Sequence, residues 1–163
     1  MKDGIVSGTL PQDYLYAAPI SYAATSHLTS VFLAYAIALN ETIEGEKAGL
    51  WNAATVVSPD GGHGLFQLTS LIPYNWDNPL TNASWACEDY IVPAWAYWAN
   101  APYHLQGDDL VRAIAAEFNA GRGNAINGHR EGDVGKYTTF SDGKSYADRA
   151  LAHYQALCKL GNS

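Results

Sequence analysis

The sequence predicts a mainly α fold, a single helical domain with at most a small strand or hairpin region. Three observations carry that expectation. Apolar residues crowd the stretch from Ser26 to Glu41 at a density that suits a helix buried on most sides. Leu110, Ile114 and Phe118 repeat every four residues, the spacing of one helix face. Glycines and polar residues gather between the helical stretches, at 61–64 and from 121 to 143, and the hint of extended chain is a valine pair at 56 and 57.

Taken in chain order, residues 1–25 read as a segment that packs on, or extends from, one domain formed by residues 26–163. In the first helix Leu28, Val31, Phe32, Leu33, Ile37 and Leu39 supply the apolar density, and polar Asn40 and Glu41 mark its expected end. Residues 43–73 hold the valine pair and the glycine cluster and are expected as loops with a short strand or hairpin. A second helix is expected over 82–100, where Trp85, Tyr90, Ile91, Trp95 and Trp98 recur at helical spacings and Pro93 should kink or divide it. The stretch 108–120 opens on two aspartates, which favour a helix N-terminus, and is followed by Gly121, a residue suited to the C-terminal cap. Residues 122–144 are polar and glycine-rich, and are expected to be irregular. The last helix starts at Ser145, with Asp148 three residues on as a capping-box variant, and runs through Leu151, Tyr154 and Leu157 to Gly161.

With 163 residues, 48 % of them apolar and 15 % charged, the chain is large enough to bury its own core. The formal charge of −7 opposes attraction to phosphates, so nucleic acid is not an expected partner. The longest apolar run, VFLAYAIAL, is about half of the roughly 20 residues a spanning helix needs, and no membrane insertion is expected. The N-terminus lacks the succession of regions in a secretory signal. Cys87 and Cys158 form neither a zinc cluster nor a CxxC motif. They read as two free thiols on helices, with one disulfide between distant segments as the alternative. His129, Arg130, Glu131 and Asp133 match no metal-ligand spacing and read as a solvated loop, so neither metal nor cofactor is expected.

Glu41 is the first chemical candidate. A carboxylate at the end of an apolar helix is disfavoured by poor hydration and by the negative end of the helix dipole, and both raise its pKa. A carboxylic acid still protonated near neutral pH can serve as a general acid, which breaking a glycosidic bond requires.

Glu41 lies in the first of four motifs that follow one another along the chain. ALNET contains Glu41, SPDGGHGLFQ contains Ser58 and Gln67, AAEFNAG contains Asn119 and Gly121, and SYADRAL contains Tyr146; between the second and third lies DNPLTNASWACEDYIVPAWAYW. In order and spacing this resembles the lysozyme-like (α+β) fold of soluble lytic transglycosylases and goose-type lysozymes, including phage peptidoglycan-cleaving enzymes, over about residues 26–160. The resemblance implies that Glu41 is the catalytic acid and base and that Gly62 and Gly64 let a sugar approach the backbone. It further implies that Gln67 orients substrate or supports the glutamate, that Ser58 meets the N-acetyl or peptide side of the substrate, that Asn119 holds the cleft floor and that Tyr146 hydrogen-bonds near Glu41. Asp60 could position water, as in goose-type lysozymes, or merely cap the SPDG turn. The chain departs from the family pattern at Thr42, Phe66 and Phe118, where serine, methionine and tyrosine are usual. The interval from Glu41 to Gln67, 26 positions, is longer than usual and contains Glu44 and Glu46.

The function so implied is cleavage of the bond between N-acetylmuramic acid and N-acetylglucosamine in peptidoglycan glycan strands. A lytic transglycosylase forming a 1,6-anhydro product is the leading reading and a hydrolytic lysozyme assisted by Asp60 the alternative. A binding or structural module of a virion or cell envelope is the competitor of another class, and the negative charge speaks for it, since an enzyme facing an anionic wall gains from positive charge. Trp51, Trp76, Trp95, Trp98, Tyr103 and Tyr137 could stack on sugars, with none singled out. The expected setting is a monomeric bacteriophage lytic protein, made in the host cytoplasm and acting on the wall in the periplasm, either an endolysin released through a holin or a virion component.

Overall fold

The computed structural model describes residues 3–70, 72–139 and 143–161. Residues 1 and 2 of the N-terminal segment, Leu71, residues 140–142 and the last two residues of the domain expected over 26–163 lie outside them. The fold is mainly helical, with isolated β-bridges and no sheet among the described residues. Its elements are α1 (Ala17–Ser26), α2 (Val31–Ala38), a π turn (Leu39–Ile43), α3 (Glu44–Lys47), α4 (Pro79–Trp85), a second π turn (Ala86–Ile91), α5 (Val92–Ala99), α6 (Gly107–Ala120), α7 (Arg122–Arg130), a 3-10 turn (Lys136–Thr138) and α8 (Tyr146–Leu160).

Helix α2 is the centre. All eight of its residues are buried, and it packs against α1 and α8. Ser30 caps it by accepting from the Leu33 N–H at 3.1 Å, while its own hydroxyl donates to Val6 O at 2.7 Å. Ser7 Oγ accepts from the Val31 N–H, so the N-terminal segment satisfies helix donors that would otherwise be left bare. Ile5, Leu10, Ile20 and Ala23 join the same apolar core.

Several expectations about the elements need correction. The first helix neither begins at Ser26 nor ends at Glu41. It starts after Ser30 and continues through a π turn into α3, because Thr42 and Ile43 are buried and hold the chain to the core past the polar pair. The second helix starts three residues earlier than expected, at Pro79, where Asn78 accepts from the Leu80 and Thr81 N–H groups. Pro93 does not break it. The pitch widens over Ala86–Ile91, just ahead of the residue that lacks a donor. Residues 122–139 are not irregular, since α7 and the 3-10 turn occupy most of them; Gly128 lets the helix press on the carbonyl of Asp133, 2.6 Å from where a Cβ would stand.

Helices α6 and α8 follow their local signals. Gly121 closes α6 at φ 80°, and Ser145 Oγ accepts from the Asp148 N–H to open α8. Cys87 and Cys158 are both free thiols, the first buried and the second partly so.

The segment 52–70 crosses in front of the α2–α3 junction as a compact turn with bridges at Val57–His63 and His63–Leu68. Asn82, fully buried on α4, clamps it. Its Oδ1 accepts from the Phe66 N–H at 2.8 Å and its Nδ2 donates to His63 O at 3.1 Å. Thr42 ties the turn from the other side by donating to Leu65 O at 2.6 Å. Leu65, Phe66 and Leu68 point into the core. Asn82→Ala would leave the Phe66 N–H without a partner in the interior, and should lower unfolding free energy in urea titrations by about 3 kcal/mol with the helices intact by circular dichroism.

Candidate active site

The turn, the α2–α3 junction, the end of α6 and the start of α8 enclose one cavity of about 480 Å³, lined among others by Glu41, Ser58, Asp60, Gln67, Asn119 and Tyr146. Thus six of the eight residues named from the sequence share one wall system. Gly62 and Gly64 do not line it, and the sugar-approach role expected for them is corrected. Both are buried inside the turn. A Cβ on Gly62 would stand 2.7 Å from Ser58 Oγ and Gln67 Oε1, and one on Gly64 would stand 2.6 Å from Asn82 Nδ2 and 2.9 Å from Trp76 O. Gly64 also has φ 68°, a conformation that favours glycine. These glycines let the chain pack on itself.

Glu41 sits in the π turn, on the cavity side of the helix. The wider turn shifts the register of the side chains between α2 and α3, which turns Asn40 and Glu41 outward while Thr42 and Ile43 stay buried. Tyr146, the first residue of α8 and almost wholly buried, donates its hydroxyl to Glu41 Oε1 at 2.6 Å. Asn40 Nδ2 donates to Tyr146 O at 3.1 Å, so the same two elements are joined twice.

The Glu41 carboxyl is pushed up from 4.5 to about 7. Burial is the largest cause; the Tyr146 hydroxyl pulls in the opposite direction, and the charge of Asp60 adds to the rise. The helix dipole expected to add to this rise is not a cause, because the helix runs on to Lys47 and Glu41 is not at its end. Desolvation does most of the work, with the charge of Asp60 behind it. The Tyr146 phenol is itself held far above its ordinary value, first by burial and then by the glutamate beside it, so it remains a donor.

The other carboxylates of the long interval are engaged elsewhere. Glu46 accepts from Tyr16 OH and from the Ala53 N–H, each at 2.7 Å, and Glu44 is exposed with His153 3.6 Å away. Asp60 is at the cavity rim and exposed. Ser58 donates to it, and that bond, with backbone N–H groups of the turn, holds its carboxyl below the usual range. Ser58 also accepts from the Gly62 N–H at 3.0 Å. Gln67, at φ 50°, turns its amide back onto Gly64 O at 2.8 Å; the hydrogen bond that holds Glu41 comes from Tyr146 instead. Asn119 is exposed at the cavity's edge. Phe118 lies beside it, its ring edge-on to Phe66.

A groove of about 430 Å³ shares Thr69, Phe118 and Asn119 with the cavity and extends it past Tyr90 to Arg122. His129, Arg130, Glu131 and Asp133, expected as a solvated loop, lie elsewhere, and the first two belong to α7: His129 meets the rings of Trp98 and Tyr103, Glu131 takes Lys136 and Tyr137, and Asp133 takes Arg112. Among the described residues no group of three or more His, Cys, Asp or Glu side chains could hold a metal ion.

Sequence reading missed three contributors. Asn82 reads as one more polar position in a helix, Thr42 as a family departure, and Trp51 as one aromatic among six. Trp51 lines the cavity with its Nε1 donating to Thr42 O at 3.0 Å.

No protein-family model matches the chain, and no curated protein matches it.

The raised carboxyl has a consequence for stability. Between pH 4.5 and about 7 the folded protein keeps the Glu41 proton that the unfolded chain has released, so stability falls as pH rises through this window. The loss amounts to about 3 kcal/mol above pH 7. Glu41→Gln removes that titration. Denaturation midpoints of the wild type should therefore decline from pH 5 to pH 8 relative to the variant, with Glu41→Gln the more stable protein at pH 8.

Proposed function

We propose that the protein cleaves the β-1,4 bond between N-acetylmuramic acid and N-acetylglucosamine in peptidoglycan glycan strands, with Glu41 as general acid and then base. The observation that carries this reading is one carboxyl, oriented by a buried tyrosine and raised by burial to about 7, on the wall of an open cavity. The order of motifs that resembles lytic transglycosylases and goose-type lysozymes supplies the substrate class.

Glu41 gives its proton to the bridging oxygen as the C1–O bond breaks and the sugar gains oxocarbenium character. The 2-acetamido group of the substrate stabilises that charge, as in glycosidases that depart from the two-carboxylate scheme. Glu41, now a carboxylate, takes the proton of the muramic acid 6-hydroxyl as its oxygen bonds to C1. A 1,6-anhydro ring closes, the glutamate regains its proton and no water is consumed. Tyr146 donates to the carboxylate through the cycle and keeps its oxygens aimed at the reacting atoms.

Hydrolysis is the second reading, favoured by the position of Asp60 on the same cavity wall and by its charge acting on Glu41. Against it, Ser58 and the turn's backbone already occupy that carboxylate. A glycan-holding module of a virion or envelope, the reading of another class, would have the same cavity without turnover. As to setting, the proposal is a phage lytic protein acting on the bacterial wall, either released through a holin or carried in a virion. No described helix is long and apolar enough to cross a membrane.

Mass spectrometry of muropeptides released from purified peptidoglycan tests the proposal. Wild type should yield 1,6-anhydro products, lighter by one water than hydrolysis gives, and Glu41→Gln should yield none, because it removes the transferable proton at nearly constant volume. Reducing-end products would favour hydrolysis with Asp60, and no release by the folded wild type would contradict the catalytic reading. Since the acid must be protonated, the rate should fall as pH rises through about 7.

A further inference from the structure

Helix α3 contains a glycine, Gly45, at an ordinary helical position, where alanine is the better helix former. The structure gives its reason. A Cβ at 45 would stand 2.1 Å from Cζ2 and 2.3 Å from Cε2 of Trp51, so the indole lies directly on the bare α carbon. The same edge of the ring is fixed a second time by the hydrogen bond from Nε1 to Thr42 O, the carbonyl next to the candidate acid in the chain. With one edge seated on helix and bonded to it, the ring has little rotational freedom left. Yet the residue is 43 % exposed, and it lines the same cavity as Glu41.

The other four tryptophans are placed differently. Trp98 is fully buried and Trp95 nearly so. Trp76 meets the edge of His63, and neither Trp76 nor Trp85 lines the cavity. Trp51 is thus the one indole held rigid and presented to the cavity. A pyranose ring has an apolar C–H face and a rim of hydroxyls; an indole face suits the first, and the cavity's Asn40, Gln67 and Asn119 suit the second.

We infer that Trp51, seated on Gly45 and fixed by the Thr42 carbonyl, is the stacking platform for one pyranose ring of the substrate beside Glu41. This rests on the glycan reading above. A platform already ordered before binding loses little freedom when the sugar arrives, so its effect falls on affinity. Gly45 and Thr42 are positioning residues for the indole.

The test uses the Glu41→Gln protein, which holds saccharide without turning it over, titrated with tetra-N-acetylchitotetraose by calorimetry and by tryptophan fluorescence. Adding Trp51→Ala should weaken binding about tenfold or more. Adding Gly45→Ala, which keeps the indole and favours the helix but displaces the ring, should weaken it similarly, and Trp51→Phe should fall between. In the otherwise wild-type enzyme Trp51→Ala should raise KM and leave the pH limb set by Glu41 in place; a merely structural tryptophan would shift that limb or lower kcat instead. Equal affinity with and without the indole would overturn the inference while leaving the catalytic proposal standing. No saccharide binding by the Glu41→Gln protein with its cavity intact would contradict the glycan reading itself, and the platform with it.

Discussion

The hydrogen bond from Tyr146 to Glu41 joins the first turn of α8 to the π turn after α2, two points 105 positions apart in the chain. Nearly everything distinctive about the cavity depends on those two elements meeting there. Ser145 must cap α8 so that its first residue faces α2, and the centre of the core must hold α2 against α8. The π turn must then rotate Glu41 to the open side while keeping Thr42 inside, where it grips the turn at Leu65. A regular helix through Asn40–Ile43 would present the four residues with different spacing. The carboxyl is therefore both enclosed enough to resist ionisation and open enough to reach a ligand.

The same junction orders the rest of the wall. Thr42 contributes its hydroxyl to the glycine turn and its carbonyl to Trp51, so one residue sets two sides of the cavity. Asn82 does the corresponding work from α4. The glycines are spread over these contacts for a common physical reason: Gly45, Gly62 and Gly64 each leave out a Cβ where another side chain or carbonyl must approach.

How much of this could be read from the sequence follows from how local each signal is. Helices α6 and α8 carry their caps and apolar faces within their own spans, and Ser145, Asp148 and Gly121 act where the sequence puts them. The mainly helical class followed from the same patterns. The π turn was not legible, because it arises from Thr42 and Ile43 being claimed by the core beyond a polar pair. Helix α7 was not legible either: Gly123, Gly128 and several polar residues argue against a helix, and the contact with Asp133 that rewards Gly128 is tertiary. The helix end expected at Glu41 is absent, so no terminal dipole acts there, and the raised carboxyl comes chiefly from burial, which only the tertiary structure supplies. Neither Asn82 nor the Gly45–Trp51 seat leaves any periodic or compositional trace.

A single enclosed glutamate whose carboxyl titrates near neutral pH is the premise of the proposed chemistry. Its most direct test is the carboxyl ¹³C resonance of Glu41, assigned by difference from Glu41→Gln and followed as a function of pH. The account predicts a midpoint near 7, moved still higher in Tyr146→Phe because the hydroxyl that favours the carboxylate is gone. A midpoint at the ordinary 4.5, unaffected by Tyr146, would mean that Glu41 is solvated and ionised, and would contradict its role as the acid.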